Sequence, residues 1–341
     1  MRFALVGAGV IGQVHARLIA GLAGHAELGV VVDTDAGRAR TLAGEYGCDA
    51  LDDLGAACAR ADVDAVAVCL PSGLHADAAV LALRAGKHVV VEKPLDVSLA
   101  AADRIAAAER ESGRTVAVIS QRRFQPAAAF VHRAVTDGRL GRITSGVAES
   151  TFWRGQDYYD SGGWRGTLAG DGGGALMNQG IHALDLLLWM MGEPVEVQAY
   201  AGRLAHERID VEDTVAATIR FASGAIGTVT ATTAAYPGLP VRLAVHGDGG
   251  SAVIEREDLA YFHSAADARP DDGFDHNQAV PFGSEGGQAS IDEAHRDQYL
   301  DFIAAVREGR PPLVGTPQAR RALQVVLAVY ESARTGGPVA L

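Results

Sequence analysis

The sequence predicts an α/β protein with an N-terminal doubly wound parallel sheet and a C-terminal α/β domain whose sheet is open and mostly antiparallel. Three observations carry this prediction. A buried strand at residues 2–6 runs directly into the glycine-rich turn Gly7-Ala-Gly-Val-Ile-Gly12. Strand and helix patterns then alternate to about residue 120, as they do in parallel sheets. Beyond residue 121, several segments alternate apolar and polar residues, which is typical of antiparallel strands.

The glycine-rich turn has the GxGxxG spacing of a dinucleotide-binding site, and it lies between a strand and a helical pattern that ends near Leu22. In this motif Gly7 makes the tight turn, Gly9 lets the backbone approach a pyrophosphate, and Gly12 allows close packing of helix on strand. The helix N-terminus offers free N–H groups to the phosphates. We therefore expect cofactor contacts from Gly7, Gly9, Val10, Ile11 and Gly12.

A second strand, at residues 28–33, ends at Asp33, which lies 21 residues after Gly12. An acid at about this distance binds the adenosine ribose in such folds. A carboxylate would accept hydrogen bonds from a free 2′-hydroxyl and would repel a 2′-phosphate, so the sequence favours NAD over NADP. Arg38 and Arg40 could still reach a phosphate, although both also read as solvated arginines on a helix.

The next elements are expected as a helix at 35–46, a strand at 65–70, a helix at 75–85, a strand at 88–91, a helix at 99–109 and a strand at 115–119. Ligands of doubly wound sheets bind outside the carboxyl ends of the strands. Two segments lie at such ends, Pro71-Ser-Gly-Leu-His75 and Glu92-Lys93-Pro94. We expect both to face the same crevice as the glycine turn. The bond before Pro94 is trans or cis.

Lys93 is the leading catalytic candidate. The chain contains two lysines and 28 arginines. Nearly all basic residues of the chain are arginines, yet a lysine occurs at this position. This indicates a need for a titratable nitrogen, because guanidinium is effectively never deprotonated in proteins. The alternative is an ordinary surface lysine after a strand, like Lys87.

Past residue 121 the pattern predicts a helix at 127–136, a glycine-rich loop followed by a helix, and then several strands. The segments 213–221 and 225–232 flank Ala222-Ser-Gly224 and read as a hairpin, with further strands at 242–246 and 251–255. Residues 264–290 read as a long loop, either a lid or an insertion. Helices at 293–307 and 318–334 are expected to close the core. We predict a dinucleotide-binding domain at 1–120 and a substrate-binding and oligomerisation domain at 121–341.

A polar stripe crosses the otherwise apolar helix that follows the glycines 172–174. Asn178, His182 and Asp185 are spaced i, i+4 and i+7, so they share one face of a helix. One interpretation is a catalytic histidine with its partners, and the alternative is a structural hydrogen-bond network around a buried histidine. A metal site is not expected, because these ligands come from one helix without a second cluster.

Composition narrows the class of function. Hydrophobic residues make up 48% of the chain and the formal net charge is −12, which predicts a soluble globular protein and argues against nucleic acid as a partner. The three cysteines show no metal spacing, which favours a reducing, cytoplasmic location. We expect neither a signal peptide nor a membrane span.

Taken together, these motifs resemble the Gfo/Idh/MocA family of nicotinamide-dependent sugar and polyol oxidoreductases. The resemblance covers nearly the whole chain and rests on Gly7 to Gly12, Glu92-Lys93-Pro94, Gln121-Arg-Arg-Phe124, Trp164-Arg165, Gly172 to Gly174, the helix with His182 and Tyr330-Glu-Ser-Ala333. It implies a Rossmann domain, NAD as cofactor, a carbohydrate or polyol substrate, and assembly into homodimers or homotetramers through the open sheet.

The resemblance also implies the roles of individual residues. Lys93 and His182 become the catalytic pair. The residues expected at the substrate are Asn178, Arg123, Trp164, Tyr159 and Arg154. Further cofactor contacts are expected from Pro71, Ser72, His75, Glu92, Lys93, Gln121, Trp164 and Arg165.

One departure from the family concerns Asn178, because many inositol and glucose dehydrogenases of the family carry Asp four residues before the histidine. Asn can orient a hydroxyl but cannot accept its proton. The segments Tyr158 to Arg165 and Met177 to Gly180 are similar to those of UDP-N-acetylglucosaminuronate 3-dehydrogenases. For a nucleotide diphosphate the candidate ligands are Arg122, Arg123 and Arg154.

The resulting hypothesis is hydride transfer between a ring carbinol and the nicotinamide. Neutral Lys93 accepts the hydroxyl proton, His182 hydrogen-bonds the reacting oxygen, and Asp185 or a backbone carbonyl fixes the histidine tautomer. Two alternatives stay open. One is a catalytically silent sensor that binds the dinucleotide and controls a protein partner, and the other is a reductase of a non-sugar carbonyl.

Overall fold

The structure is a computed structural model that describes residues 1–267 and 291–341 of the 341-residue chain. The chain divides into two compact units. The first contains Met1–Gln121, Ala169–Gly172 and Asp292–Leu323, and the second contains Arg122–Leu168, Gly173–Ile291 and Gln324–Leu341. Across the described residues, no helix combines the length and apolarity that crossing a membrane requires.

The first unit is built on a six-stranded parallel sheet. Its strands are β1 (Arg2–Val6), β2 (Glu27–Val32), β3 (Asp49–Leu51), β4 (Ala65–Val68), β5 (His88–Val91) and β6 (Val116–Val118). They lie in the order β3-β2-β1-β4-β5-β6, and every neighbouring pair is parallel. The order reverses between β1 and β4, and a reversal of this kind opens a ligand crevice at the carboxyl ends of the strands.

Five helices connect these strands: α1 (Val10–Ala20), α2 (Ala36–Tyr46), α3 (Leu54–Cys58), α4 (His75–Arg84) and α5 (Leu99–Ser112). Local capping explains where two of them begin. The Asp35 carboxylate accepts hydrogen bonds from the first N–H groups of α2, and the Ser98 hydroxyl accepts one from α5. The apolar runs of β1, β4 and β5 are almost entirely buried, as expected of strands covered on both faces. The predicted doubly wound sheet is confirmed.

The second unit contains α6 (Pro126–Thr136), β7 (Ile143–Thr151), α7 (Gln156–Asp160), the start of α8 (Leu168–Asp171), a π-helical turn (Leu176–Gly180) and α9 (Ile181–Met191). Further strands are β8 (Pro194–Gly202), β9 (Thr214–Phe221), β10 (Ile226–Thr232), β11 (Arg242–Gly247), β12 (Gly250–Glu255), β13 (Asp258–Ser264) and, at the C-terminus, β14 (Val339–Ala340).

These strands form one eight-stranded sheet in the order β13-β12-β11-β7-β10-β9-β8-β14. β7 and β10 pair in parallel, and the other neighbours pair antiparallel. The open, mostly antiparallel sheet is therefore confirmed, as is the hairpin that joins β9 to β10. Along β9 and β10, buried residues alternate with exposed ones, so one face of the sheet stays open within this unit.

The sequence patterns missed several strands of this sheet, including β7 and β8. β7 lies between β11 and β10, yet small and polar residues fill it, Ile-Thr-Ser-Gly-Val-Ala-Glu-Ser-Thr. At Gly146 the strand packs closely on α9, where an added Cβ would displace the ends of the Met191 and Leu187 side chains. The predicted loop at 264–290 begins one residue too early, since Ser264 is the last residue of β13, and its residues 268–290 lie outside the described part of the chain.

Two long helices follow, α10 (Ile291–Glu308) and α11 (Thr316–Thr335). α10 packs into the core of the first unit, where the Tyr299 and Phe3 rings meet edge to face at 5.7 Å between centroids. The division by residue number, 1–120 and 121–341, places α10 with the second domain, whereas its contacts join it to the first unit. The sequence does not reveal this assignment, because residue periodicity identifies the apolar face of a helix and not the sheet on which that face packs.

Candidate active site

The glycine turn has the backbone geometry that a dinucleotide pyrophosphate requires. Gly7 has φ +97°, and a Cβ there would overlap the Cys69 carbonyl oxygen. A Cβ at Gly12 would overlap the Gly7 carbonyl oxygen, whereas a Cβ at Gly9 would meet no atom within 4 Å. Two glycines are thus required by the fold itself, and the third leaves open space at the uncapped N-terminus of α1, where N–H groups are available to an anion.

The Asp33 carboxylate is held at the carboxyl end of β2. One of its oxygens accepts the Ala8 N–H at 2.8 Å, and the other accepts the Asp35 N–H at 2.8 Å and the Arg38 guanidinium at 3.1 Å. Arg38 also lies 3.4 Å from the Asp35 carboxylate. Because two carboxylates already neutralise Arg38, it is poorly suited to recruit a 2′-phosphate. The geometry agrees with a ribose site for NAD.

The segments after β4 and β5 are fastened to each other. The His75 ring is buried, and its two nitrogens lie 2.8 Å from the Pro94 carbonyl oxygen and 2.9 Å from that of Leu70. Burial lowers the pKa of His75, while both carbonyls oppose that shift. Ser72, three residues earlier in the chain, is also buried. His75 therefore braces the two loops, and direct contact of Pro71, Ser72 or His75 with the cofactor stays a prediction.

Glu92 and Lys93 follow β5 in the first unit, and the bond between Lys93 and Pro94 is cis. The buried Glu92 carboxylate accepts the Lys93 N–H at 2.9 Å and lies 2.8 Å from His15 Nε2. Lys93 is half-buried. Desolvation lowers the pKa of its amine, and the nearby charges of Glu92 and Asp171 oppose that effect. The surroundings therefore favour the neutral amine that a general base needs.

Gln121 is buried at the end of the first segment of this unit, and its side-chain oxygen has no hydrogen-bond partner among the described residues. An orphaned buried acceptor is costly unless a ligand supplies a donor. Together with the open space at Gly9 and the Asp33 carboxylate, it makes the first unit fit for a bound dinucleotide.

In the second unit, a buried acid supports the start of the helical segment that carries Asn178 and His182. The Glu212 carboxylate accepts the Gly174 N–H at 2.8 Å, the Leu176 N–H at 2.9 Å and the Tyr330 hydroxyl at 3.0 Å. Burial raises the pKa of Glu212, and these hydrogen bonds oppose the shift. A carboxylate in this position complements the helix dipole.

The polar stripe itself is divided by the π-helical turn at 176–180, a feature common at functional sites. Asn178 donates from its amide to the Gly173 carbonyl oxygen at 3.2 Å, and His182 is half-buried on the first turn of α9. Asp185 instead forms a buried, bidentate ion pair with Arg123, at 2.7 and 2.6 Å. The guanidinium also packs 5.1 Å from the Trp189 ring centre.

This ion pair bears on two expectations. Both Asp185 oxygens accept hydrogen bonds from Arg123, and the expectation that Asp185 or a backbone carbonyl fixes the His182 tautomer stays a prediction. Arg123 was expected at the substrate, and its buried, paired guanidinium braces α9; contact with substrate stays a prediction.

The remaining substrate candidates gather around Tyr158. The guanidinium carbon of Arg154 lies 5.2 Å from the Tyr158 ring centre and that of Arg165 lies 4.5 Å from it, while Arg165 is also 4.9 Å from the Trp164 ring. The Gln179 amide, one residue after Asn178, donates to the Tyr158 hydroxyl at 3.4 Å. The Tyr159 ring packs against the Tyr158 ring at 5.1 Å between centroids, and its hydroxyl hydrogen-bonds the Thr233 hydroxyl at 2.8 Å. Burial raises the pKa of Tyr159 to about 12, and its contact with substrate stays a prediction.

Sequence reasoning missed the residues that hold the candidates in place. Glu212 and His15 carried no signal beyond their residue type, while Tyr330 lay in a segment already noted for its family resemblance. Among the described residues, His15, Glu92 and His295 have ligand atoms within 4.8 Å of one another, a grouping that could hold a metal ion. Both His15 nitrogens and both Glu92 oxygens already have hydrogen-bond partners within the chain.

Comparisons with known proteins agree with this reading of the two units. Residues 1–120 match the model described as the oxidoreductase family, NAD-binding Rossmann fold, and residues 129–253 match the GFO/IDH/MocA C-terminal domain. The chain is 31% identical to an inositol 2-dehydrogenase of Rhizobium meliloti, over 91% of this chain and 89% of that protein. It is 29% identical to a scyllo-inositol 2-dehydrogenase (NAD(+)) of Bacillus subtilis, over 100% and 96% of the two chains.

Solved structures give a similar result. The WlbA dehydrogenase from Bordetella pertussis, in complex with NADH and UDP-GlcNAcA, superposes with a TM-score of 0.88 at 31% identity, covering 100% of this chain and 98% of that one.

Proposed function

The chain belongs to the GFO/IDH/MocA oxidoreductases, and on that premise we propose that Lys93 and His182 carry out its reaction, hydride transfer between a ring carbinol of a sugar-like substrate and NAD. The observation that carries the proposal is the setting of Lys93, an amine whose pKa is lowered by burial and whose loop is held at the carboxyl edge of the dinucleotide-binding sheet. Bound NAD supplies the hydride acceptor.

In the oxidative direction, the neutral Lys93 amine accepts the proton of the reacting hydroxyl. Burial lowers the pKa of Lys93 and favours that neutral form, while the Glu92 and Asp171 charges oppose the shift. In the reverse direction, the ammonium returns the proton. His182 donates a hydrogen bond to the same oxygen, and Asn178 orients the substrate without taking a proton.

The support for His182 is the rigidity of its helical segment. At the start of the segment 174–185, Glu212 and Tyr330 accept hydrogen bonds from N–H groups that precede α9. At its end, the ion pair with Arg123 holds Asp185 in place. A side chain on a segment held at both ends keeps one orientation, which a catalytic hydrogen bond requires.

We further propose that the substrate is an anionic sugar, such as a uronate or a nucleotide sugar. Two guanidinium groups, those of Arg154 and Arg165, pack on the Tyr158 ring, and neither has an ion-pair partner among the described residues of a chain with net charge −12. Their like charges are stabilised by an anion placed between or beside them. The family resemblance had placed Arg165 at the cofactor, and this proposal assigns it to the substrate anion.

We also propose a cytoplasmic homodimer or homotetramer that assembles through the open face of the second sheet. On that face, Tyr200 is 76% exposed and Ile226 is 52% exposed. The three cysteines are free thiols, which suits a reducing compartment. Light scattering on a sizing column tests the assembly, and a stable monomer at micromolar concentration would contradict it.

The experiment that tests the function is reduction of NAD and NADP across inositols, free pyranoses, uronates and UDP-sugars, with Lys93→Met beside the wild type. We expect turnover with NAD that the substitution abolishes while NAD affinity is kept. Arg154→Gln should raise KM for acidic sugars and leave KM for neutral ones unchanged. Tight NAD binding without turnover on any substrate would instead support the sensor.

A further inference from the structure

We propose that Tyr299 and His15 are positioning residues for the reaction. They form a hydrogen-bonded chain from α10 through α1 and Glu92 to the backbone of Lys93. The inference rests on the proposed role of Lys93 as the base, and it adds two residues that no motif of the dinucleotide site contains.

The contacts of the chain lie within the first unit, and the two that His15 makes are buried. The Tyr299 hydroxyl lies 2.7 Å from His15 Nδ1, and His15 Nε2 lies 2.8 Å from one Glu92 oxygen. The other Glu92 oxygen accepts the Lys93 N–H at 2.9 Å. Tyr299 and His15 are each 1% exposed, so water does not compete for these hydrogen bonds.

The protons of this chain have one arrangement that satisfies every atom. Burial raises the pKa of Tyr299, so the hydroxyl stays protonated. It donates a hydrogen bond to His15 Nδ1. Burial also tends to raise the pKa of Glu92, but the His15 hydrogen bond and nearby positive charges outweigh burial and hold it well below its usual range. The carboxylate is thus an acceptor only, and His15 donates to it from Nε2.

The residues that follow Lys93 are also held by hydrogen bonds. The Pro94 carbonyl oxygen lies 2.8 Å from His75 Nδ1, and the Asp96 carboxylate accepts the Ala76 N–H at 2.9 Å. Both neighbours of Lys93 along the chain are therefore anchored to buried groups. Because Glu92 receives the Lys93 N–H directly, the orientation of Glu92 sets the position from which the amine extends. The Tyr299–His15 pair is what fixes that orientation.

Several titratable groups of different elements surround the Glu92 carboxylate, and any of them could alter its charge. They are His15 of α1, Cys69 after β4, His75 of α4, Lys93 of the loop itself, and His295 and Tyr299 of α10. The chain Tyr299–His15 is singled out because it joins the carboxylate through hydrogen bonds of 2.7 and 2.8 Å.

The first test is Tyr299→Phe, which removes the hydroxyl and keeps the ring. Tyr46→Phe is the matched control, because Tyr46 packs on the same core and its hydroxyl has no hydrogen-bond partner among the described residues. We expect kcat to fall about tenfold in Tyr299→Phe, with KM and the NAD dissociation constant unchanged, and no change in the control. An equal loss of NAD affinity, or an unchanged kcat, would overturn the positioning role.

The second test compares two substitutions of His15. Gln can donate to Glu92 and accept from Tyr299, whereas Leu can do neither. We expect His15→Leu to lower kcat about a hundredfold and His15→Gln to recover much of that loss. Equal losses in the two variants would show that the side chain matters for packing alone.

A third readout is independent of turnover and so separates this proposal from the proposed function. The chain has two lysines, Lys87 and Lys93. After reductive ¹³C-methylation, each gives its own NMR signal, and Lys87, bound to the Arg60 and Val63 carbonyls, is the internal reference. We expect His15→Leu to move the Lys93 titration and leave that of Lys87 in place. If neither lysine responds, the chain does not reach Lys93.

Elemental analysis completes the test, because His15, Glu92 and His295 could also hold an ion. We expect no stoichiometric metal after dialysis against EDTA. One equivalent of a transition metal kept by the wild type and absent from His15→Leu would replace the hydrogen-bonded chain with a metal site and overturn the proposal.

Discussion

Substitution of Gly9 should affect folding stability and NAD affinity in opposite directions. Gly9 has φ −73° and ψ −170°, an extended conformation open to any residue, and an added Cβ meets no atom within 4 Å. Gly9→Ala should therefore not strain the protein without ligand. It should stabilise it by about 0.4–1 kcal/mol, because alanine reduces the conformational freedom of the unfolded chain.

The same methyl group occupies the space through which a pyrophosphate would approach the N-terminus of α1. We expect NAD affinity to fall at least about tenfold, or about 1.4 kcal/mol. Gly12→Ala should behave in the opposite way. Its Cβ would overlap the Gly7 carbonyl oxygen, and we expect a loss of about 1–3 kcal/mol of folding stability despite the better helix propensity of alanine.

The assay is urea unfolding without NAD, together with calorimetric titration of NAD into each variant. Gly44→Ala is the matched control, since Gly44 is exposed on α2, away from the turn, and its added Cβ also meets nothing within 4 Å. It should gain up to about 1 kcal/mol and bind NAD normally. Unaltered NAD affinity in Gly9→Ala would refute the assignment of the glycine turn to the pyrophosphate, and lost stability would refute the geometry.

Three further predictions concern the loop that carries Lys93 and helix α9. If Lys93 acts in proton transfer as proposed, Lys93→Met should abolish turnover and leave NAD binding within about twofold by calorimetry. A large loss of NAD affinity would contradict that role. Glu92→Gln removes a negative charge that raises the pKa of Lys93, so the acid limb of log kcat/KM should move to lower pH, and a shift to higher pH would refute the sign. Asp185→Ala leaves the Arg123 guanidinium buried without its carboxylate partner, and it should lower the free energy of unfolding in urea by about 3–5 kcal/mol. The double variant Arg123→Met with Asp185→Leu should be nearly as stable as the wild type. Equal losses in the single and double variants would show that the ion pair does not explain the cost.

Local sequence was sufficient for the features that depend on near neighbours. The glycine turn, the acid after β2 and the hairpin between β9 and β10 were each predicted from spacings of a few residues to about 20, and each is present. The rarity of lysine pointed to Lys93 without any structure. The predictions of the turn, the acid and the hairpin succeeded because such features are set by the residues that form them. The catalytic role of Lys93 stays a prediction.

β7 and α10 show where local patterns stop being informative. β7 is a central strand made of small and polar residues, and it is a strand because β10 and β11 pair with it on either side. α10 has a clear apolar face, yet only packing reveals that Tyr299 and Phe302 belong to the first core. Strand pairing and helix docking are long-range contacts, and residue periodicity does not encode the partner.

The sequence by itself determined the class of the protein, its dinucleotide turn and the identity of the catalytic candidates. The tertiary structure decided what holds those candidates: His15 and Tyr299 are 284 residues apart yet lie 2.7 Å from each other, and Arg123 meets Asp185 across 62 residues. The physical reason is that a buried polar group must find a hydrogen-bond partner wherever the folded chain provides one, and that partner need not be near in sequence.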